Sequence, residues 1–574
     1  MAHKITLKKS EQSHSTNPKN KLYVFGGILI AVLMVGTSFG IMISAQTPSI
    51  PTVIEPGSMI SESSFIVFKD GSSTFVRNGA TGAIDFSASD DATAIQYAID
   101  NCNMQSILLK AGDYNVQTPL LINHSHVKII GEAGQYSTRL VKSANIDLLT
   151  IHGVGRISFL ELQNLYFFGN SPTYTGRLLV VNTTSQAPSI TNCHFNDNNG
   201  SAIHLYDVWG QGPIIRDCKI YNCGNATDAG VEIVGGCNAI RFENVGLAPF
   251  DYIAIHIDSI SSNIIITDCT SESNAGALKP MLFIEGFSNI VSNNEFSLTG
   301  PNVALIEDDG DRNVISNNIL SGGSQPCYGI YFHGTRSVIE GNYIYNAKEG
   351  IRVEDGWATV SNNFIESCTN GINSSGILLA SGNHIQSSSG DGVFLDGGGS
   401  SIINANLIEN SGTGTTPAVF SGLVLNGSSE NLITNNRITD WRAVISKTQE
   451  YGIKEVAPAQ SNWIYDNYLA GNSVDAILKV GSTTKIHNNI GFTTENHGTY
   501  VCNGNGSTAY YIPHGLVATA TYFTVTPTYG PDAIGGNESF FVWADATCLI
   551  VQYSVAPPGG TNNIRLVWYA EVYH

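Results

Sequence analysis

VSNNEF (residues 291–296), ISNNIL (315–320), IEGNYI (339–344) and VSNNFI (360–365) repeat one phrase: an apolar residue, two small or polar positions, an asparagine, and a second apolar residue two places on. Followed in both directions, its fourth position falls at Cys193, Cys218, Val245, Cys269, Asn294, Asn318, Asn342, Asn363, Asn383, Asn406, Asn436, Asn467 and Asn489, at intervals of 20–31 residues. A period of this size marks a repeat architecture, in which each unit buries its apolar face only against its neighbours. Between the asparagines lie short β-branched runs, such as residues 264–267 and 338–339, punctuated by Gly, Asn, Ser and Asp, with no helix-length apolar pattern. Several short strands per coil follow. The expected fold is all-β, a right-handed parallel β-helix of about 13 or more coils with rungs about 4.8 Å apart. Asparagine suits a turn column there, because it tolerates unusual backbone angles and its amide bonds to the rungs on either side. The ladder is structural.

Acids outnumber bases 47 to 28, for a formal charge of −19, and charged residues are only 13% of the chain. No broad basic face is available, which excludes nucleic acid as a partner. A chain of 574 residues would ordinarily divide into domains, but a solenoid extends one core along its axis. None of the ten cysteines forms a C-x-x-C pair, so zinc is not indicated. Cys193, Cys218 and Cys269 share the asparagine column and read as small buried hydrophobes. Cys502 and Cys548, alone in the last segment, are the candidates for a disulfide in an oxidising exterior.

Residues 22–45 carry no charge, are long enough to span a bilayer, and follow Lys4, Lys8, Lys9, Lys19 and Lys21. The positive-inside rule makes 22–45 a signal anchor in the cell membrane, with residues 1–21 cytoplasmic and the β-helix extracellular. A cleaved signal peptide ending near Ser44-Ala45 is the alternative, although its apolar core is usually about 7–15 residues. Residues 1–21 hold five lysines and one glutamate, a net +4, which leaves −23 outside. Residues 46–60, with Pro48, Pro51 and Pro56, form a stiff stalk. Residues 65–67 and 74–76 flank Lys69-Asp70-Gly71 as a hairpin. Residues 89–101 place Ala92, Ile95, Ala98 and Ile99 on one helical face, with Ser89 or Asp90 as N-cap. Such a helix would cover the open end of a β-helix running over 61–497.

The run from residue 89 to 140, SDDATAIQYAIDNCNMQSILLKAGDYNVQTPLLINHSHVKIIGEAGQYSTRL, together with the coils behind it, resembles the pectate-lyase-like superfamily of right-handed parallel β-helix proteins. The resemblance covers roughly residues 61–495. It implies a fold shared by polysaccharide lyases, glycoside hydrolases, epimerases, phage tailspikes and non-catalytic surface proteins, so it leaves the activity open. The chain lacks the Gly-His-Gly and Arg-Ile-Lys motifs of polygalacturonases and a clear counterpart of the pectate-lyase arginine motif. From about Gly498 the ladder stops, and residues 508–512, 522–526, 540–543, 549–553 and 564–570 alternate as strands of a small β-sandwich-like module over 498–574. Its segments IPHGL (512–516), VTP (525–527) and PPGGTNN (557–563) are similar to C-terminal modules of phage tail and other surface proteins, with His514 read as a turn residue.

On a solenoid, side chains that act together come from one column of neighbouring rungs. Counting back from the ladder, the residue after the preceding strand is Asp258, Glu285, Glu307, His333 and Glu354, with Asp308, Asp309, Asp311 and Asp355 thickening the patch. Carboxylates on adjacent rungs lie about 5 Å apart and on alternate rungs about 10 Å, which brackets the separations of retaining and inverting glycosidases. Stacked acids raise one another's pKa, as a general acid needs. The catalytic candidates are therefore Asp258, Glu285, Glu307, Asp308, His333, Glu354 and Asp355; the substrate-binding candidates are Arg336, Arg352, Trp357 and Tyr331. No cofactor is required, and Ca2+ is the ion such carboxylates would take, as the resemblance to the lyases implies. Two functions stay open. One is a membrane-anchored protein that binds polysaccharide or surface glycan and cleaves it as a lyase or glycoside hydrolase. The other is a non-catalytic adhesin or envelope structural protein. Either is compatible with a homotrimer, and a solvated acidic edge would present the same residues without chemistry.

Overall fold

A computed structural model describes residues 63–572 apart from 154, 156, 183–187, 210–213, 249–251, 273–277, 298–299, 324–325, 414–417 and 529–538. The expected anchor at 22–45 and stalk at 46–60 lie outside the described residues; among the described residues no helix is long and apolar enough to cross a membrane.

Each turn of the chain contributes three short strands, as in Val314–Ser316, Ile319–Ser321 and Tyr328–Phe332. Every strand pairs in parallel register with its equivalents one turn away. Ile315 lies between Val291 and Ile339, Leu320 between Phe296 and Ile344, and Ile330 between Ile306 and Ile351. Three long sheets result, of 19, 14 and 15 strands among the described residues, referred to below as the first, second and third sheets. Alternation along each strand turns Ile315, Leu320 and Ile330 inward, all fully buried, and leaves their neighbours facing out. The architecture is the all-β parallel helix expected from the period.

Between the first and second sheets, Asn294, Asn318, Asn342, Asn363, Asn383, Asn406, Asn436, Asn467 and Asn489 form one hydrogen-bonded ladder. Each Nδ2 donates to the Oδ1 of the next member at 2.9–3.0 Å. Each Oδ1 also accepts the backbone N–H of the member before it, as Asn342 does from Asn318 at 3.0 Å. The side chains are buried, and the left-handed backbone falls one residue earlier than expected, at Asn293, Asn317, Asn362, Asn435 and Asn488. Two jobs that the sequence merges into one position are thus divided between adjacent residues. Cys193, Cys218 and Cys269 are buried in the same column.

The helix Asp91–Asn101 begins at Asp90, whose carboxylate accepts from Thr93 N at 2.9 Å, and buries Ala92, Ile95, Ala98 and Ile99. Strands Phe65–Asp70 and Ser73–Asn78 make the expected antiparallel hairpin. At the other end two three-stranded antiparallel sheets start at Glu495 and enclose a separate core of Ile512, Leu549, Val551, Ile564, Leu566 and Trp568. Cys502 and Cys548 are free thiols there, so the disulfide considered for them is not formed. His514 is a buried turn lock: its Nδ1 accepts from Leu516 N at 3.0 Å, which leaves Nε2–H to donate to Asp545 O at 3.1 Å.

Candidate functional site

The third sheet carries the ionisable residues. Its strands Ile255–Ile257, Leu282–Ile284, Ala304–Asp308, Tyr328–Phe332 and Glu349–Val353 present one outward column: His256, Phe283, Glu307, Tyr331 and Arg352, with Glu232 on the rung before. Two residues further on, where each strand ends, runs a second column of Asp258, Glu285, Asp309, His333 and Glu354.

This register corrects the sequence-based column at one rung. Glu307 belongs to the outward-facing strand positions, and Asp309 takes the place assigned to it. Asp308, between them, points into the core. It is fully buried, its Oδ1 accepts from Gly310 N at 3.0 Å and Asn313 Nδ2 at 2.7 Å, and its Oδ2 has no hydrogen-bond partner among the described residues. Burial pushes its pKa up to about 6. An inward carboxyl cannot meet a polysaccharide, so Asp308 is a structural residue.

Other candidates separate in the same way. Asp258 spends a carboxylate oxygen on Gly235 N at 2.7 Å and another on Ser261, holding its turn. Asp355 is an exposed turn residue with left-handed backbone, and Arg336, also left-handed, sits at the irregular start of the first-sheet strand Thr335–Glu340, paired to Asp311 at 2.9 Å. Trp357 opens a strand of the first sheet and is half exposed there, away from the third-sheet column. Arg352 is held at 3.1 Å by Glu349 and at 3.2 Å by Glu354, and Glu354 also receives the Tyr331 hydroxyl. Those bonds hold Glu354 below the usual carboxylate range, Tyr331 first and Arg352 second. Arg352 and Glu354 therefore position Tyr331.

What remains together is a compact group. Glu307, Asp309 and His333 bring one donor atom each within 4.8 Å of one another. Burial, and then the charge of Asp309, raise the pKa of Glu307; burial and the charge of Glu285 raise that of Asp309, while His333 opposes. Phe283 and Tyr331 flank Glu307 on the rungs either side. Beside them His256 sits between two carboxylates, Nδ1 to Glu232 and Nε2 to Glu285, both at 2.9 Å. Its burial disfavours the charged ring, but the two carboxylates outweigh that and hold its pKa above the ordinary value. Glu232, Tyr252, His256, Lys279, Phe283 and Glu285 enclose an adjoining cavity of about 240 Å3. Glu232, His256 and Phe283 escaped the sequence reading, although the four-residue strings Ile-His-Ile-Asp, Leu-Phe-Ile-Glu, Ile-Glu-Asp-Asp, Ile-Tyr-Phe-His and Ile-Arg-Val-Glu that end at 258, 285, 309, 333 and 354 do carry the register.

One imidazole with two carboxylates suits a borderline ion such as Zn2+ or Cu2+ better than Ca2+, which takes oxygen ligands.

The family model for the right-handed β-helix region matches residues 82–247 and 371–512, together more than half of the chain, and the chain belongs to that family. A second model, periplasmic copper-binding protein (NosD), matches 250–378 and 289–439, the stretch that contains Glu307, Asp309 and His333. No curated protein matches the chain. Among solved structures, the mannuronan C-5 epimerase AlgE6 A-module of Azotobacter vinelandii is similar at 16% identity and a TM-score of 0.32, over 70% of this chain and 95% of that one. The tailspike protein of Escherichia coli bacteriophage HK620, in complex with a hexasaccharide, is similar at 14% identity and 0.46, over 84% and 89%. DFA-IIIase of Arthrobacter chlorophenolicus A6 is similar at 13% and 0.39, over 60% and 90%. These likenesses are distant and bear on none of the site residues.

Proposed function

We propose that the chain binds a polysaccharide across the third sheet and hydrolyses it, with Glu307 as general acid and Asp309 as the second carboxylate. The observation that carries this is the setting of Glu307: a half-buried carboxyl with a raised pKa, flanked by two aromatic residues and close to a second acid. A raised pKa favours the protonated form of a carboxylic acid, the form that donates to a leaving oxygen. Oxygens of the two carboxyl groups lie within 4.8 Å of each other, short of the roughly 6.5–9.5 Å that inverting glycosidases keep for a water. Glu307 would give its proton to the glycosidic oxygen as the bond to the anomeric carbon breaks, and Asp309 would attack that carbon to form a glycosyl ester. Water, giving its proton back to Glu307, would then release the sugar. Phe283 and Tyr331 offer ring faces for the flanking sugars.

An ion held by Glu307, Asp309 and His333 would need both acids ionised, so this mechanism runs without one. The experiment follows reducing-end release and unsaturated-uronate absorbance on a polysaccharide panel, with and without EDTA. Glu307→Gln should lower turnover by about 10²- to 10⁴-fold with little change in binding, and EDTA should not lower it. Binding without turnover in the wild type would leave an adhesin, the reading that needs no acid pair.

The proposal also places the chain at the cell surface, anchored through residues 22–45; the uncharged stretch behind five lysines supports this. It further takes the chain as a homotrimer. Supporting that, the outward column of the first sheet that includes Ile290, Ile402 and Trp463 stays 38–50% exposed at those residues.

A further inference from the structure

We infer that the second sheet carries a glycan-binding groove of its own, independent of the acid pair on the third sheet, which takes an uncharged oligosaccharide segment across Gly246. One outward column of that sheet runs Tyr166, His194, Lys219, Gly246, Thr270 and Glu295 on successive rungs. A row of side chains is thus broken at one rung, and the gap belongs to a groove of about 320 Å3 walled by Tyr221, Thr270, Glu272 and Glu295. That volume lies at the small end of ligand sites, which run from about 300 to 1,000 Å3.

The fold does not require glycine at 246. Its φ is outside the left-handed region, and a Cβ built on it would meet nothing nearer than 3.9 Å, at Lys219 Cγ, Thr270 Oγ1 and the Tyr221 hydroxyl. Gly246 opens the two-residue strand Gly246–Leu247, and a glycine in a strand without backbone need marks a place where a ligand comes close.

Behind the groove stands a preformed aromatic wall. His194 is 7% exposed and packs among Tyr136, Tyr166 and Tyr221 at ring distances of 5.1, 4.7 and 5.4 Å. Both of its ring nitrogens are buried without a hydrogen-bond partner among the described residues. Burial first, then the charge of Lys219, push its pKa down to about 4 against the opposing effect of Asn196, so a neutral ring stacks against Tyr221. A fixed ring such as Tyr221 offers an apolar face for the C–H side of a pyranose, while Glu272, Glu295 and Thr270 accept from its hydroxyls. Two carboxylates on an acidic protein repel uronate, sulfate and phosphate. Among the described residues the ammonium nearest Gly246, Lys219, is engaged with the Tyr136 hydroxyl at 3.0 Å and lies 5.6 Å from that ring. The ligand is therefore uncharged.

Isothermal titration with maltohexaose, cellohexaose and N-acetylchitohexaose, with trigalacturonate as the acidic control, tests this on the full chain. At least one neutral hexaose should bind, and at least about tenfold more weakly to Gly246→Phe and to Tyr221→Ala. Tyr221→Ala decides the matter if phenylalanine at 246 disturbs the strand. The inference is overturned if no neutral hexaose binds at millimolar concentration, or if both groove variants bind as the wild type does. It also fails if Phe283→Ala, on the third sheet, weakens binding as much as the groove variants should, which would assign the ligand to the third sheet, or if trigalacturonate competes for the groove.

Discussion

Replacing Asn342 by Leu removes one link from the middle of the ladder, and the loss can be worked out bond by bond. Asn342 is 1% exposed. Its Oδ1 accepts from Asn318 N at 3.0 Å and Asn318 Nδ2 at 2.9 Å, and its Nδ2 donates to Ile315 O and to Asn363 Oδ1, both at 2.9 Å. Leucine leaves two donors on Asn318 and the Ile315 carbonyl short of a partner; Asn363 Oδ1 still accepts the backbone N–H of residue 342 at 2.9 Å. Each stranded group costs about 1–3 kcal/mol, and burying leucine returns about 1.5–3 kcal/mol. Three such groups at mid-range, about 6 kcal/mol, less about 2 kcal/mol for leucine, give a net loss of about 4 kcal/mol, large among single substitutions. Guanidinium unfolding, with the slope fitted separately for each variant, measures it against Glu340→Gln, an exposed position on the same turn that should stay within about 0.5 kcal/mol. Hydrogen exchange should show the Asn318 amide losing protection first. A melting shift for Asn342→Leu no larger than the control's would mean that the amide chain contributes little, and that apolar stacking alone carries the turn.

Asp308 gives a pH dependence of definite sign. Its folded pKa of about 6 lies above the ordinary 3.8, so its contribution to stability is fully present below about pH 4 and lost as pH rises through about 6, by about 3 kcal/mol. Asp308→Asn should flatten the stability profile between those limits, and an unchanged profile would refute the inward placement. Sedimentation of residues 61–574 should give a trimer that Ile290→Asp with Ile402→Asp converts to monomer; a monomeric wild type would rule the trimer out. The full chain should stay with membranes through alkaline carbonate extraction, and release into the supernatant would favour the cleaved-signal alternative.

The period was legible because it is written in identical residues: an asparagine that must reach its neighbour's amide cannot be exchanged without breaking a bond on each side. The acidic column was half legible. Asp258, Glu285, His333 and Glu354 follow single apolar residues and fall into register unaided, whereas Glu307-Asp308-Asp309 offers three consecutive acids and no local sign of which faces inward. Only the pairing of Ile306 with Leu282 and Ile330 decides it. The clamp of Glu232 and Glu285 on His256 was out of reach, since it joins residues 53 positions apart through side-chain geometry. Gly246 could not be singled out among 59 glycines until its column was known.

The separation of these columns has a mechanical consequence. The ladder lies at the corner between the first and second sheets, while Glu307, Asp309 and His333 stand on the third sheet and the turn that leaves it. Each rung contacts mainly its neighbours, so stability is close to a sum of rung and interface terms, and a lost ladder bond lowers that sum without moving the outward face of a distant strand. Asn342→Leu should therefore lower the fraction folded near its melting range while leaving turnover per folded molecule unchanged at lower temperature. Glu307→Gln should do the reverse: it removes the proton donor and, with it, a carboxyl whose ionised form is penalised by burial and by Asp309. Stability held or slightly raised, with turnover lost, is the pattern of a residue kept for chemistry at some expense to the fold. If turnover per folded molecule instead fell in both variants, the third sheet would depend on the ladder for its geometry, and the two columns could not be treated as independent.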